Sequence, residues 1–168
     1  MKKLTFLLIP ILLFSCAGKS GNSMSNEKKK SLYEVIQPVI AQIREGAARA
    51  DSKQMLEVFS ATEDFQFIAT SGEVLTYPAF KEMITQFYRT ITGEMLSKGA
   101  EKYTYIDENS FLWTYAGAVT VVFKNGKKIK YDPFGATFLF KKINDQWKAI
   151  FLQESGQESP QVVTARTK

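Results

Sequence analysis

The sequence predicts an α+β fold in which helices cover one face of an antiparallel β-sheet. Two observations predict it. Apolar residues recur at helical spacing in the first half of the domain, and strand-like segments separated by turn signals fill the second half. The turn signals are of hairpin type: Asp107-Glu108-Asn109-Ser110, Asn125-Gly126 and Asn144-Asp145. Asn-Gly is the strongest of the short hairpin signals, and strands joined by hairpins run antiparallel.

The chain opens with Lys2 and Lys3, followed by an apolar run from Leu4 to Phe14. This is the pattern of a secretory signal, too short to cross a bilayer as a helix. It ends in Leu13-Phe14-Ser15-Cys16, which resembles a bacterial lipobox. The resemblance implies removal of residues 1–15 and acylation of Cys16. An ordinary signal peptide with a coincidental cysteine is the alternative. Cys16 is the only cysteine, so no intrachain disulfide can form. Acyl chains contribute about 0.8 kcal/mol per buried CH₂, so several on one residue attach a protein stably to a bilayer. The expected location is the bacterial cell envelope, lipid-anchored, at the outer membrane facing the periplasm.

Residues 16–30 read as the lipidated cysteine and a tether, rich in Gly, Ser, Asn and Lys with little to bury. Residues 31–158 form the domain, and 159–168 a tail of similar character. The chain carries a formal charge of +5, but residues 31–160 hold 14 Lys and Arg against 16 Asp and Glu, a balance of −2. The basic character belongs to the ends. A nucleic-acid-binding domain carries its positive charge on the fold, so no nucleic-acid partner is expected. Lys28 to Lys30 are better placed to face anionic lipid headgroups.

Within the domain, Ser31-Leu32-Tyr33-Glu34 has capping-box form. Leu32, Val35, Ile36, Val39, Ile40 and Ile43 follow at helical spacing, and Pro38 predicts a kink or a late start. Asp51 is placed to cap a short second helix running to Phe59. Residues 64–70 alternate as a strand and end at Ser71-Gly72. Pro78 suits the first turn of a third helix, whose stripe of Phe80, Ile84, Phe87 and Ile91 runs to a stop at Gly93. Strands are predicted near 100–107, 110–124, 128–142 and 146–155.

This order resembles the NTF2-like superfamily, in its SnoaL-like and ketosteroid-isomerase-like branch. Three segments carry the resemblance: Ala48-Arg49-Ala50-Asp51 running on to Phe59, Glu63-Asp64-Phe65-Gln66-Phe67 followed by Ser71-Gly72 and the helix at Pro78, and Trp147-Lys148-Ala149-Ile150. It spans roughly Leu32 to Gly156. It implies three N-terminal helices packed on a strongly curved sheet, forming a cone with a pocket inside. Gly117 and Gly135, the latter beside Pro133, are places where such a sheet can bend or bulge.

The resemblance also implies where catalytic residues should stand. SnoaL-type relatives often carry histidines four and six residues after the tryptophan of the closing strand; here those positions are Phe151 and Gln153. The isomerases use a tyrosine of the first helix and an aspartate ending the first strand; here those positions are Ile43 and Ala69. The chain has no histidine, which excludes Ser-His and Cys-His sites and His-ligated metals. It has no Gly-rich phosphate loop. No cofactor and no metal are expected.

What remains is a carboxylate among aromatics. Asp132 shares an alternation face with Phe134, Ala136, Phe138 and Phe140; desolvation there would raise its pKa and suit it to act as a base or neutral donor. Beside Pro133, it can equally be a bulge or turn residue in water. Glu154, in phase with Ile150 and Leu152, is the second candidate, or a solvated strand end. Gln153 shares a face with Trp147 and Phe151 and could orient a ligand. Tyr88, Tyr105, Trp113, Tyr115 and Tyr131 are candidate ligand contacts. Phe111, Trp113, Tyr115, Val119, Val121 and Phe123 line one strand face, as a core, a dimer surface or a pocket wall. Lys124, Lys127, Lys128 and Lys130 crowd one hairpin, as an edge-protecting tip.

Three functions fit. The first is a non-catalytic envelope module binding a small apolar or aromatic ligand. The second is an isomerase, cyclase or dehydratase using Asp132 or Glu154 with tyrosines. The third is a structural module that assembles as a homodimer.

Overall fold

The computed structural model describes residues 24–159. The expected signal segment, Cys16 and most of the tail lie outside them. The described chain forms α1 (Asn26–Arg49), α2 (Ser52–Leu56), β1 (Gln66–Ile68), β2 (Val74–Leu75), α3 (Tyr77–Tyr88), β3 (Ile91–Leu96), β4 (Ala100–Asp107), β5 (Ser110–Phe123), β6 (Lys128–Ile143) and β7 (Gln146–Glu158). It is an α+β fold: the helices pack on a curved, mostly antiparallel sheet. No described helix is long and apolar enough to cross a membrane.

Helix α1 begins earlier than its sequence suggests. The Ser25 side chain accepts a bond from the Lys28 N–H, so the cap lies at Ser25 and not at Ser31. Residues 26–30, expected to belong to the tether, are helical. Lysine is a good helix former, and extending an existing helix costs far less than starting one. The helix also runs through Pro38 without a break in its assignment, so the late start does not occur. It ends at Ala50 in the left-handed region, with φ 51°. Helix α2 is capped as expected, by Asp51 accepting from the Gln54 N–H at 3.0 Å.

Helix α3 carries Pro78 in its first turn but stops at Tyr88, short of the expected Gly93. The β-branched pair Ile91-Thr92 opens a strand instead. Ile91 pairs with Phe123 and Gly93 with Val122, so Ile91 belongs to the sheet and not to the helix stripe.

The sheet order is β2-β1-β7-β6-β5-β3, with β4 also pairing β5. The long β5 carries β4 along its first half and β3 along its second, both on the edge opposite β6. The β1–β7 pair is parallel; the other pairs are antiparallel. The β5–β6 turn uses Gly126 at φ 85°, and the β6–β7 turn uses Asn144 and Asp145 at φ 49° and 62°. Both turns fall where the hairpin signals place them.

The face turned to the helices holds the core. Phe111 stacks on Phe140 at 4.7 Å and Trp113 on Phe138 at 4.9 Å. From the helical side, Phe59 and Phe80 meet edge to face at 4.8 Å, and Phe80 also packs on Phe65 and Phe67. Ile36 and Ile40 of α1 are fully buried beneath them.

Three bulges decide which side chains face inward. Thr92 is the extra residue in β3 opposite the Val122–Phe123 step. Residues 132–133 contain the extra residue of β6 opposite both neighbours. Ile150 is the extra residue of β7 opposite the Leu139–Phe140 step. Each bulge resets the inside–outside alternation downstream of it.

Candidate functional site

Between the helices and the sheet lies a cavity of about 310 Å³. This is near the lower end of the roughly 300–1,000 Å³ typical of small-molecule sites. α1 contributes Ile43 and Ala47, and α2 contributes Met55. α3 contributes Met83, Ile84, Phe87 and Tyr88 along one stripe. Val119, Val121 and Phe123 of β5 and Phe134, Ala136 and Phe138 of β6 form the sheet wall. The lining is overwhelmingly apolar.

Its polar groups are few: Tyr88, Glu94, Tyr131, Thr70 and Glu154. Tyr88 ends α3, is 4% exposed, and donates its hydroxyl to Glu94 Oε2 over a long 3.4 Å. Glu94 faces inward because of the β3 bulge, and Gly93 makes that bulge close-packed. A Cβ on Gly93 would stand 2.0 Å from the Ala48 carbonyl oxygen. β3 thus lies directly against the end of α1, which no side chain at position 93 would allow. Glu154 faces inward because of the β7 bulge. Trp147 and Ala149 point inward before it; after it, Leu152 and Glu154 do.

Both carboxyls are held far above the usual carboxylate range. Burial pushes Glu94 up to about 7, partly offset by the Tyr88 hydroxyl. Burial, and then repulsion from Glu94, push Glu154 up to about 8. The Tyr88 phenol is raised by burial and by the two glutamates, so it stays protonated. Two such carboxyls titrate as a pair. Around neutral pH they can both donate and accept a proton, the requirement of general acid–base chemistry. They can equally hold a hydrogen-bonding or charged group of a ligand. Among the described residues, no cluster of three or more His, Cys, Asp or Glu is placed to hold a metal.

Of the residues singled out from sequence, Tyr88, Tyr131 and Glu154 meet at this cavity. The others do not. Asp132 is exposed, paired with Lys130 at 2.5 Å, because the β6 bulge takes it out of phase with Phe134 and Phe138. Gln153 is exposed on the outer face beside Ile68, because the Ile150 bulge reverses the phase that would align it with Trp147. Tyr105 lines a separate, more polar pocket near the start of α1, with Lys28 and Asp107. Trp113 is core: its Nε1 donates to Glu101 Oε2 at 3.1 Å, and the Arg44 guanidinium covers its ring at 5.4 Å. Tyr115 is structural, its hydroxyl 2.9 Å and 3.0 Å from the carbonyls of Ser97 and Ala118.

Glu94 is the residue sequence reasoning missed, since it was expected beyond the end of a helix. The β-branched run Thr90-Ile91-Thr92 was the available signal for a strand there. Ile43 and Ala69, where the resemblance puts the isomerases' tyrosine and aspartate, both line the cavity as apolar walls.

A chain from Salmonella enterica serovar Typhimurium, described as an NTF2-like superfamily protein, superposes with a TM-score of 0.66 at 16% identity, covering 81% of this chain and 98% of the other. The fold is NTF2-like. Two other solved neighbours share it. A putative scytalone dehydratase from Novosphingobium aromaticivorans matches with a TM-score of 0.68 at 10% identity, over 79% of this chain and 89% of its own. A type 2 hexachlorocyclohexane dehydrochlorinase matches with a TM-score of 0.67 at 8% identity, over 83% and 95%. No protein-family model matches the chain, and no curated protein matches it in sequence.

Proposed function

We propose that the protein is a membrane-anchored lipoprotein whose NTF2-like domain binds a small, largely apolar molecule in the cavity. The observation that carries the binding reading is an apolar chamber of about 310 Å³ whose polar groups are confined to a few side chains, with Tyr88, Glu94 and Glu154 together. Such a distribution buries a ligand's body and fixes its polar end. Two of the solved neighbours are named for small molecules they act on, which supports the same ligand size. Ile43 and Ala69 favour binding over the isomerases' reaction, because apolar side chains supply neither its base nor its oxyanion donor.

Titration with 2-phenylethanol tests the cavity. Saturable binding is expected, and Ala136→Leu, which adds bulk to the cavity wall, is expected to abolish it while the thermal transition persists. Equal binding by a folded Ala136→Leu protein would place the ligand elsewhere. The anchor rests on Leu13-Phe14-Ser15-Cys16. Cys16→Ser should abolish labelling by palmitate in a bacterial host. Labelling that persists in that variant would refute lipid attachment at Cys16.

A further inference from the structure

Several acids outside the cavity pair with cations, whereas the two that face into it have none. Among the described residues, Glu101 meets Arg44, Asp132 meets Lys130 and Glu108 meets Lys28. Glu94 and Glu154 have no such partner, and no Lys or Arg lines their cavity. The titratable groups facing the pair are Tyr88 from α3 and Tyr131 from β6. α1, α2, β1 and β5 offer only apolar side chains to the cavity.

We propose that the cavity takes a protonated amine, its apolar body along the aromatic walls and its ammonium group between the carboxylates of Glu94 and Glu154. This rests on the binding reading above and adds the ligand's charge. An anion would be repelled by both glutamates. A neutral ligand would leave their repulsion in place. A primary ammonium carries three N–H donors and no acceptor. Two carboxylates and the free lone pairs of the Tyr88 oxygen supply three acceptors, since that hydroxyl's own proton goes to Glu94. Aromatic rings of the lining, Phe87 and Phe134, offer a cation an attraction that an alcohol does not receive. The raised affinity of the pair for protons is the same preference in another form: the site is short of one positive charge.

The test compares 2-phenylethylamine with the neutral 2-phenylethanol by calorimetry on the purified protein. At about pH 8 the amine should bind at least about tenfold tighter, a difference of about 1.4 kcal/mol. Its affinity should fall several-fold on going to about pH 6, as the carboxylates take up protons. Amine binding near neutral pH should also release protons, so its heat should vary with the buffer's ionisation enthalpy; alcohol binding should not. The double variant Glu94→Gln with Glu154→Gln should lose the preference and keep the alcohol. Glu154→Gln alone should show an intermediate preference, a readout that survives misfolding of the double variant. Alcohol bound as tightly as amine at about pH 8, or a preference unchanged in either variant, would overturn the charge assignment while the cavity stands. Binding of neither compound would overturn both.

Discussion

Gly93→Ala is expected to destabilise the protein by about 3 kcal/mol or more, the range of severe overpacking. A Cβ there would lie 2.0 Å from the carbonyl oxygen of Ala48 and 2.8 Å from its carbon. Both are backbone atoms in the last turn of α1, so no side chain can swing aside to make room. The only relief is to move β3 away from α1, and Glu94 moves with it. The cost is therefore one of contact. Gly126 supplies the contrast: it sits at φ 85° in a turn with open space around its Cβ. Gly126→Ala should cost only about 1 kcal/mol, the strain of a left-handed alanine. Urea unfolding of the two variants measures both. Equal losses would show that β3 does not rest on α1 as described. In addition, a Gly93→Ala protein that still folds should lose amine binding before it loses alcohol binding, since it displaces one carboxylate and leaves the apolar walls.

The same bulges explain what the sequence reveals and what it hides. The meander was legible because its signals are local. Asn125-Gly126 and Asn144-Asp145 form the turns they predict, and the alternating stripe from Phe111 to Phe123 turns inward without interruption. The helix stripes at Ile36, Ile40 and Ile43, and at Phe80, Ile84 and Phe87, were legible for the same reason: a side-chain period is a property of one segment. Register is a property of two strands, and it was not legible. Ile150 adds one residue to β7, and every side chain after it changes face. That single residue puts Glu154 inside and Gln153 outside, the reverse of what continuous alternation from Trp147 gives. The bulge at residues 132–133 does the same to Asp132. Glu94 was hidden by a different error. Gly93 looks like a helix stop, and a glycine needed for close packing of a strand on a helix has the same signature in one sequence. Part of the site's composition, Tyr88, Tyr131 and Glu154, was thus visible, while Glu94 and the assembly of the site depended on inter-strand contacts that a single segment does not encode.

Glu154→Gln is expected to stabilise the protein at about pH 8.5 and to change it little near pH 4.5. The folded protein holds Glu154 with a pKa of about 8 and Glu94 at about 7, both above the ordinary glutamate value of 4.5. Below about pH 4.5 both glutamates are protonated in the folded and unfolded chains alike, and the buried carboxyl is a neutral group much like the amide that replaces it. As pH rises from there, the unfolded chain loses protons first and is stabilised relative to the folded one. Stability therefore falls with rising pH until about pH 8, where the folded pair has also ionised. One pKa unit corresponds to about 1.4 kcal/mol, but water reaching the cavity screens the pair, so a gain on the order of 1–3 kcal/mol is expected for the variant at the alkaline end. The absence of histidine makes the measurement clean, because no imidazole titrates in the same window. Urea unfolding across pH 4.5 to 9 should show a downward slope for the parent and a shallower one for Glu154→Gln. Asp132→Asn, which alters an exposed carboxylate already paired with Lys130, should leave the slope as it is. A parent whose stability is flat or rises through this window would mean that Glu94 and Glu154 ionise freely, and the cavity would then offer a ligand two ordinary carboxylates in water instead of a pair that gains by receiving a cation.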